Sequence, residues 1–115
     1  MNATPDSFDG PAEDAERRAL VADEMAMADQ ARHPALGALT DRDLSDLVSR
    51  LRARRDRARD IADRQGREAR SKAAPAGATP AAGNVGTRRK HDYLNAALER
   101  AMGEVPSRER SRTRY

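Results

Sequence analysis

The sequence has no cysteine and no tryptophan, and its aromatic side chains are one phenylalanine and two tyrosines. Without cysteine there is no disulfide, no thiol nucleophile and no thiolate metal ligand. The scarcity of aromatics leaves few platforms on which nucleic-acid bases could stack. Large aliphatic residues are scarce too. Leu, Ile, Val and Phe together number 14 of 115, about 12%, below the roughly 20% under which highly charged chains tend to stay disordered. No apolar run approaches the ~20 residues of a membrane-spanning helix. The first residues, MNATPDSFDGP, are acidic and polar where a signal peptide is basic and then apolar. The expected location is cytoplasmic, with no membrane contact.

The chemistry of catalysis is equally thin. His33 and His91 lie far apart, and no His-x-x-x-His, Glu-x-x-His, phosphate-binding glycine loop or nucleophile-base arrangement occurs. Asp41 and Asp43 are neighbours, but they fall at a helix start, where capping accounts for them. A pocket needs apolar walls, and this chain has few residues to build them. The expectation is a protein that is not an enzyme, with no catalytic residue, no cofactor and no bound metal.

What the chain does have is charge and alanine. Charged residues make up 36%, mean hydropathy is −0.94, and arginine outnumbers lysine 20 to 2. The arginine and alanine bias is attributed to a GC-rich bacterial genome before it is attributed to function. The net charge of +3 is unevenly placed: residues 1–30 carry −6, residues 31–70 carry +4 and residues 71–115 carry +5. An acidic head and a basic body attract each other, within one chain or between two.

The expected fold class is all-α, with two or three helices around a minimal core and disordered termini and linker. The strongest signal is a long helix over about 40–71. Leu44, Leu47, Val48, Leu51, Ala58, Ile61 and Ala62 recur at three- and four-residue steps and so share one side. Its start follows a capping box with a hydrophobic staple: Thr40 as N-cap, Asp43 at N3, and Leu39 against Leu44. Six arginines fall between Arg50 and Arg59, and two readings compete for them. The pairs Asp46–Arg50, Arg52–Asp56, Arg59–Asp63, Asp60–Arg64, Asp63–Arg67 and Arg64–Glu68 are spaced i,i+4, which supports a solvated, self-paired face. The other reading is a polyanion-binding surface. In a heptad frame Arg54, Gln65 and Glu68 fall on the apolar seam, so a coiled coil would run for about two and a half heptads and then fail. Gly66 predicts fraying beyond it.

Residues 1–10 read as disordered, and 11–72 as a helical hairpin region. A first helix over about 11–32 begins with Pro11 and ends before Pro34, with Leu20, Val21, Met25, Ala28 and Met27 as a weak stripe. Residues 73–86 read as a flexible Ala/Pro/Gly linker. A separate shorter helix over about 88–102, within a unit 87–103, is capped by Thr87, carries Leu94, Ala97, Leu98, Ala101 and Met102, and stops at Gly103 and Pro106. Its first turn, Arg88, Arg89 and Lys90, opposes the helix macrodipole, which an anionic partner would relieve. Tyr93 has two readings, packing over Ala97 or stacking on a base. Residues 104–115 read as a disordered basic tail with Arg108, Arg110, Arg112 and Arg114 on one side of an extended chain.

Two functions follow. The first is a small helical interaction protein that pairs, with itself or with another protein helix, through Leu44, Leu47, Val48, Leu51 and Ile61, with Leu94 and Leu98 as a second docking element. The second is a non-specific nucleic-acid or ribosome-associated protein using Arg88, Arg89, Lys90 and the tail arginines, with weak, salt-dependent binding modulated by the acidic N-terminal segment.

Overall fold

The computed structural model describes residues 12–72 and 85–112. The expected disordered head, all but two residues of the expected linker, and Arg114 lie outside the described residues. The described residues are all-α: α1 (Asp14–Ala19), α2 (Ala22–Gln30), α3 (Ala35–Ala38), α4 (Asp41–Lys72) and α5 (Val85–Arg112).

Thr40 starts α4 as the sequence requires, its Oγ1 accepting from the Asp43 amide at 3.0 Å while its carbonyl accepts from Leu44 at 2.9 Å. The reciprocal bond from Asp43 is not made; Asp is one methylene shorter than the Glu of a full capping box. The helix then runs 32 residues, about 48 Å at 1.5 Å per residue. It continues past Gly66, which is buried, to Lys72.

The principal contact of the fold is between α4 and α5, packed as a long antiparallel pair. Its register is fixed by Asp41 with Arg112, Arg52 with Met102, Arg55 with Asn95 at 3.0 Å and Gln65 with Thr87 at 2.9 Å. The dominant hairpin is therefore α4 with α5, and the N-terminal helices pack against both. Leu44, Leu47, Leu51, Leu94 and Leu98 are at most 3% exposed and share one core with Leu20, Met27 and Leu36, with Met25, Leu39, Val48 and Tyr93 packed against it. Tyr93 takes the packing role.

Three expected boundaries are corrected. The first helix is broken at Leu20 and Val21, both extended, because the Glu24 carboxylate accepts the Val21 amide at 3.0 Å and starts α2 afresh. Thr87 is not a cap: α5 begins at Val85, and the Thr87 hydroxyl donates to Gln65 Oε1. Nor does the C-terminal helix stand apart or end at 102. It passes through Pro106 to Arg112, so residues 104–112 are helical where a disordered tail was expected. Proline removes one amide donor, but Met102, Gly103 and Pro106 are exposed at that turn, and Arg108 beyond it is tied to Glu104 at 2.9 Å, Asp41 at 2.8 Å and the Leu36 carbonyl at 3.1 Å. Tertiary contacts hold the last two turns.

Leu51, fully buried at the centre of this core, gives the test. Leu51→Ala is expected to remove about 2–5 kcal/mol of stability in a urea titration, with a loss of similar size for Leu98→Ala.

Candidate functional site

Several of the polar side chains that sequence reasoning placed on surfaces join one helix to another. Glu24, 5% exposed, receives Lys90 Nζ at 3.0 Å and Arg54 Nη1 at 3.2 Å, and Arg54 also binds Asp23. The arginine that interrupted the heptad seam is thus satisfied by the acidic start of α2. Glu16 in α1 is buried and binds Arg32, just past α2, at 2.6 Å. The Arg100 guanidinium donates to the carbonyls of Ala28 and Ala31, both at 2.9 Å, where α2 ends. Attraction between acidic head and basic body is realised within one chain.

The predicted polyanion contacts divide accordingly. Lys90 is half-buried against Glu24. Arg108 and Arg112 converge on Asp41, being one helical turn apart instead of alternating along an extended strand. Arg110 is exposed at the surface. Arg88, in the first turn of α5, and Arg89, just past it, are exposed and have no ion-pair partner among the described residues. No acidic residue occupies that turn.

The predicted helix-pairing residues come together, but inside the molecule. Leu44, Leu47, Leu51, Leu94 and Leu98 are buried in the shared core, Val48 packs at its edge, and Ile61 is half-buried. The stripe joins α4 to α5 instead of facing outward.

Beyond Arg54 and Lys90, where the last ion pairs from α2 attach, α4 and α5 continue as a two-helix arm. Residues 59–72 and 85–90 of this arm contain eight Lys and Arg side chains against three Asp and Glu. None of the six expected i,i+4 pairs closes among the described residues. Asp56 instead takes Arg55 at 2.9 Å and Arg59 at 3.8 Å, because Arg55 is drawn toward Asn95. Arg64, Arg67 and Arg70 are exposed without an ion-pair partner among the described residues. Sequence reasoning missed these three, because the local pairing rule assigned Arg64 and Arg67 to neighbours on the same helix and Arg70 suits the negative end of the helix macrodipole. Long side chains on an exposed helix gain little from such pairing.

Among the described residues no three His, Asp or Glu side chains converge as a metal site, and no helix is long and apolar enough to cross a membrane. A groove of about 380 Å³ lies between the first half of α4 and the last half of α5, floored by Leu44 and Val48. A second cleft, of about 440 Å³, sits where α2 meets the arm, between Arg54, Arg57, Ile61 and Lys90. No family model, curated protein or solved structure matches the chain.

Two carboxyls are held below their ordinary range, and both face arginines. Asp23 is lowered first by its hydrogen bond from Arg54, and Asp41 by those from Arg108 and then Arg112. Arg54 and Arg108 are raised in return, Arg108 first by Glu104 and then by Asp41. A carboxyl with a depressed folded-state pKa contributes stability that is complete above its unfolded value and is lost as pH falls through the folded one. Thermal midpoints are therefore expected to be level near neutral pH and to fall below about pH 4, the ordinary carboxylate range. Asp41→Asn should flatten part of that acid limb and loosen only the last turn of α5, which amide exchange of residues 108–112 would report.

Proposed function

We propose that the chain is a small, non-enzymatic helical interaction protein that engages a polyanionic partner through its two-helix arm. The observation that supports this reading is the set of five arginines, Arg64, Arg67, Arg70, Arg88 and Arg89, exposed on the arm without carboxylate partners among the described residues. Arg88, in the first turn of α5, adds a second reason. Cations at the positive end of a helix macrodipole are unfavourable unless an anion approaches them, and the α5 sequence supplies none in that turn.

Leu44, Leu47, Leu51, Leu94 and Leu98, the leucines expected to pair helices, lie in the core that joins α4 to α5. What the arm offers a partner is charge. With few aromatics and no residue set that reads base edges, contact would be to backbone phosphates or to a run of carboxylates, with little sequence preference. The acidic N-terminal segment takes a changed role, since Glu16, Asp23 and Glu24 hold the bundle together. Deleting residues 1–30 would then remove part of the fold along with any competitor.

The test is a titration of labelled 20-base-pair duplex by fluorescence anisotropy across salt concentrations. If the five arginines each neutralise one phosphate, log affinity falls with log salt at a slope of about −4 to −5. Arg88→Ala with Arg89→Ala should reduce the slope by about 2 and weaken binding uniformly across sequences. Binding that is absent at low salt, or indifferent to about 0.3 M salt, where the screening length is short, would reject the reading.

A further inference from the structure

We infer that the groove of the α4/α5 hairpin left uncovered by α1, α2 and α3 is the seat of a second copy of this chain, giving a two-fold dimer. The hairpin has two long sides. One is covered by α1, α2 and α3, whose Asp23, Glu24, Ala28 and Leu36 meet Arg54, Lys90, Arg100 and Arg108. The other holds the 380 Å³ groove. On its rim Met102 is 45% and Val105 41% exposed, so two of the four large apolar side chains left exposed among the described residues stand together here. Ser45 and Ser49, one turn apart on α4 and both exposed, leave room for another helix to approach closely.

The charges on this face are placed for self-association. The register set by Asp41 with Arg112 and by Arg52 with Met102 puts Val48 opposite Val105. Arg52 lies four residues beyond Val48, and Glu109 lies four residues beyond Val105. Because the helices are antiparallel, the two charges sit about 6 Å from the valine pair in opposite directions. A two-fold axis crossing the helices at Val48 and Val105 therefore brings Arg52 of each copy level with Glu109 of the other, twice. An isologous interface requires such self-complementarity. Arg52 has no carboxylate partner within its own chain among the described residues; its guanidinium lies against the Met102 sulfur at 3.7 Å. Arg108 and Arg112, which also line the groove, are balanced by Asp41 and Glu104. The inference does not depend on the arm's ligand; a dimer would carry two arms.

Light scattering on the full chain decides it. The expected mass is twice that of the chain at about 100 µM, a concentration that populates even a weak micromolar dimer. Val105→Asp should give a monomer of unchanged helicity, since its side chain is partly exposed. Arg52→Glu should weaken association at least tenfold, and Arg52→Glu combined with Glu109→Arg should restore it. A monomer at every concentration overturns the inference, as does a dimer indifferent to Val105→Asp and Arg52→Glu. If Val105→Asp loses helicity, the charge reversal and its rescue decide the matter alone.

Discussion

A shortage of large side chains governs this structure. Seven of the chain's eight leucines are buried, and six of the other seven core residues are alanines. Alanine lets backbones approach closely, but each one removes little area from water, so hydrophobic burial alone holds the helices weakly. The deficit is met by ionised side chains that tie one helix to the end of another. Arg100 closes the two carbonyls at the end of α2, Arg108 closes that of Leu36 within the single turn of α3, and Glu24 closes the free amide at Val21. Helix ends expose unpaired backbone groups, and charge-assisted bonds to them contribute roughly 1.5–3 kcal/mol each. In this protein arginine does at helix ends what leucine does elsewhere.

The same contacts explain where local rules gave way. Nothing in the run from Pro11 to Arg32 breaks a helix by propensity, yet Glu24, once buried against Arg54 and Lys90, has an oxygen to offer the Val21 amide, and the chain kinks there. Pro106 ends a helix when judged by its own neighbours. Here the turn after it is held by Arg108 and Arg112 reaching Asp41, about seventy positions away in sequence. Long-range polar bonds of this kind leave no periodic trace in the sequence.

Periodic signals fared better. The α4 stripe, its Thr40 cap and the Leu94, Ala97, Leu98, Ala101 face of α5 were legible because burial imposes a 3.6-residue repeat that apolar residues must obey. Arg54 was legible in another sense: a cation on an apolar seam demands a partner, and the surplus of acid in residues 1–30 held it in Asp23 and Glu24. The arm arginines were misjudged because spacing shows only which pairs are sterically open. Asp56 could serve any of several arginines, and the choice fell to Arg55 and Arg59 once α5 had placed Asn95 beside Arg55.

Charge that is uneven along the sequence becomes charge that is uneven in space. The acidic residues of α1 and α2 reach only as far along the hairpin as Arg54 and Lys90, since α2 begins at Ala22. Up to that line Arg32, Arg54 and Lys90 meet carboxylates of α1 and α2 and stabilise the bundle; past it Arg64, Arg67, Arg70, Arg88 and Arg89 meet no carboxylate from another helix among the described residues. The arm is basic because the N-terminal helices are short. A longer α2 would neutralise it and add core, whereas a shorter one would uncover Arg54 and Lys90 and lose the bonds that stabilise the bundle. Stability and the available positive surface are thus set by one variable, the point at which α2 starts.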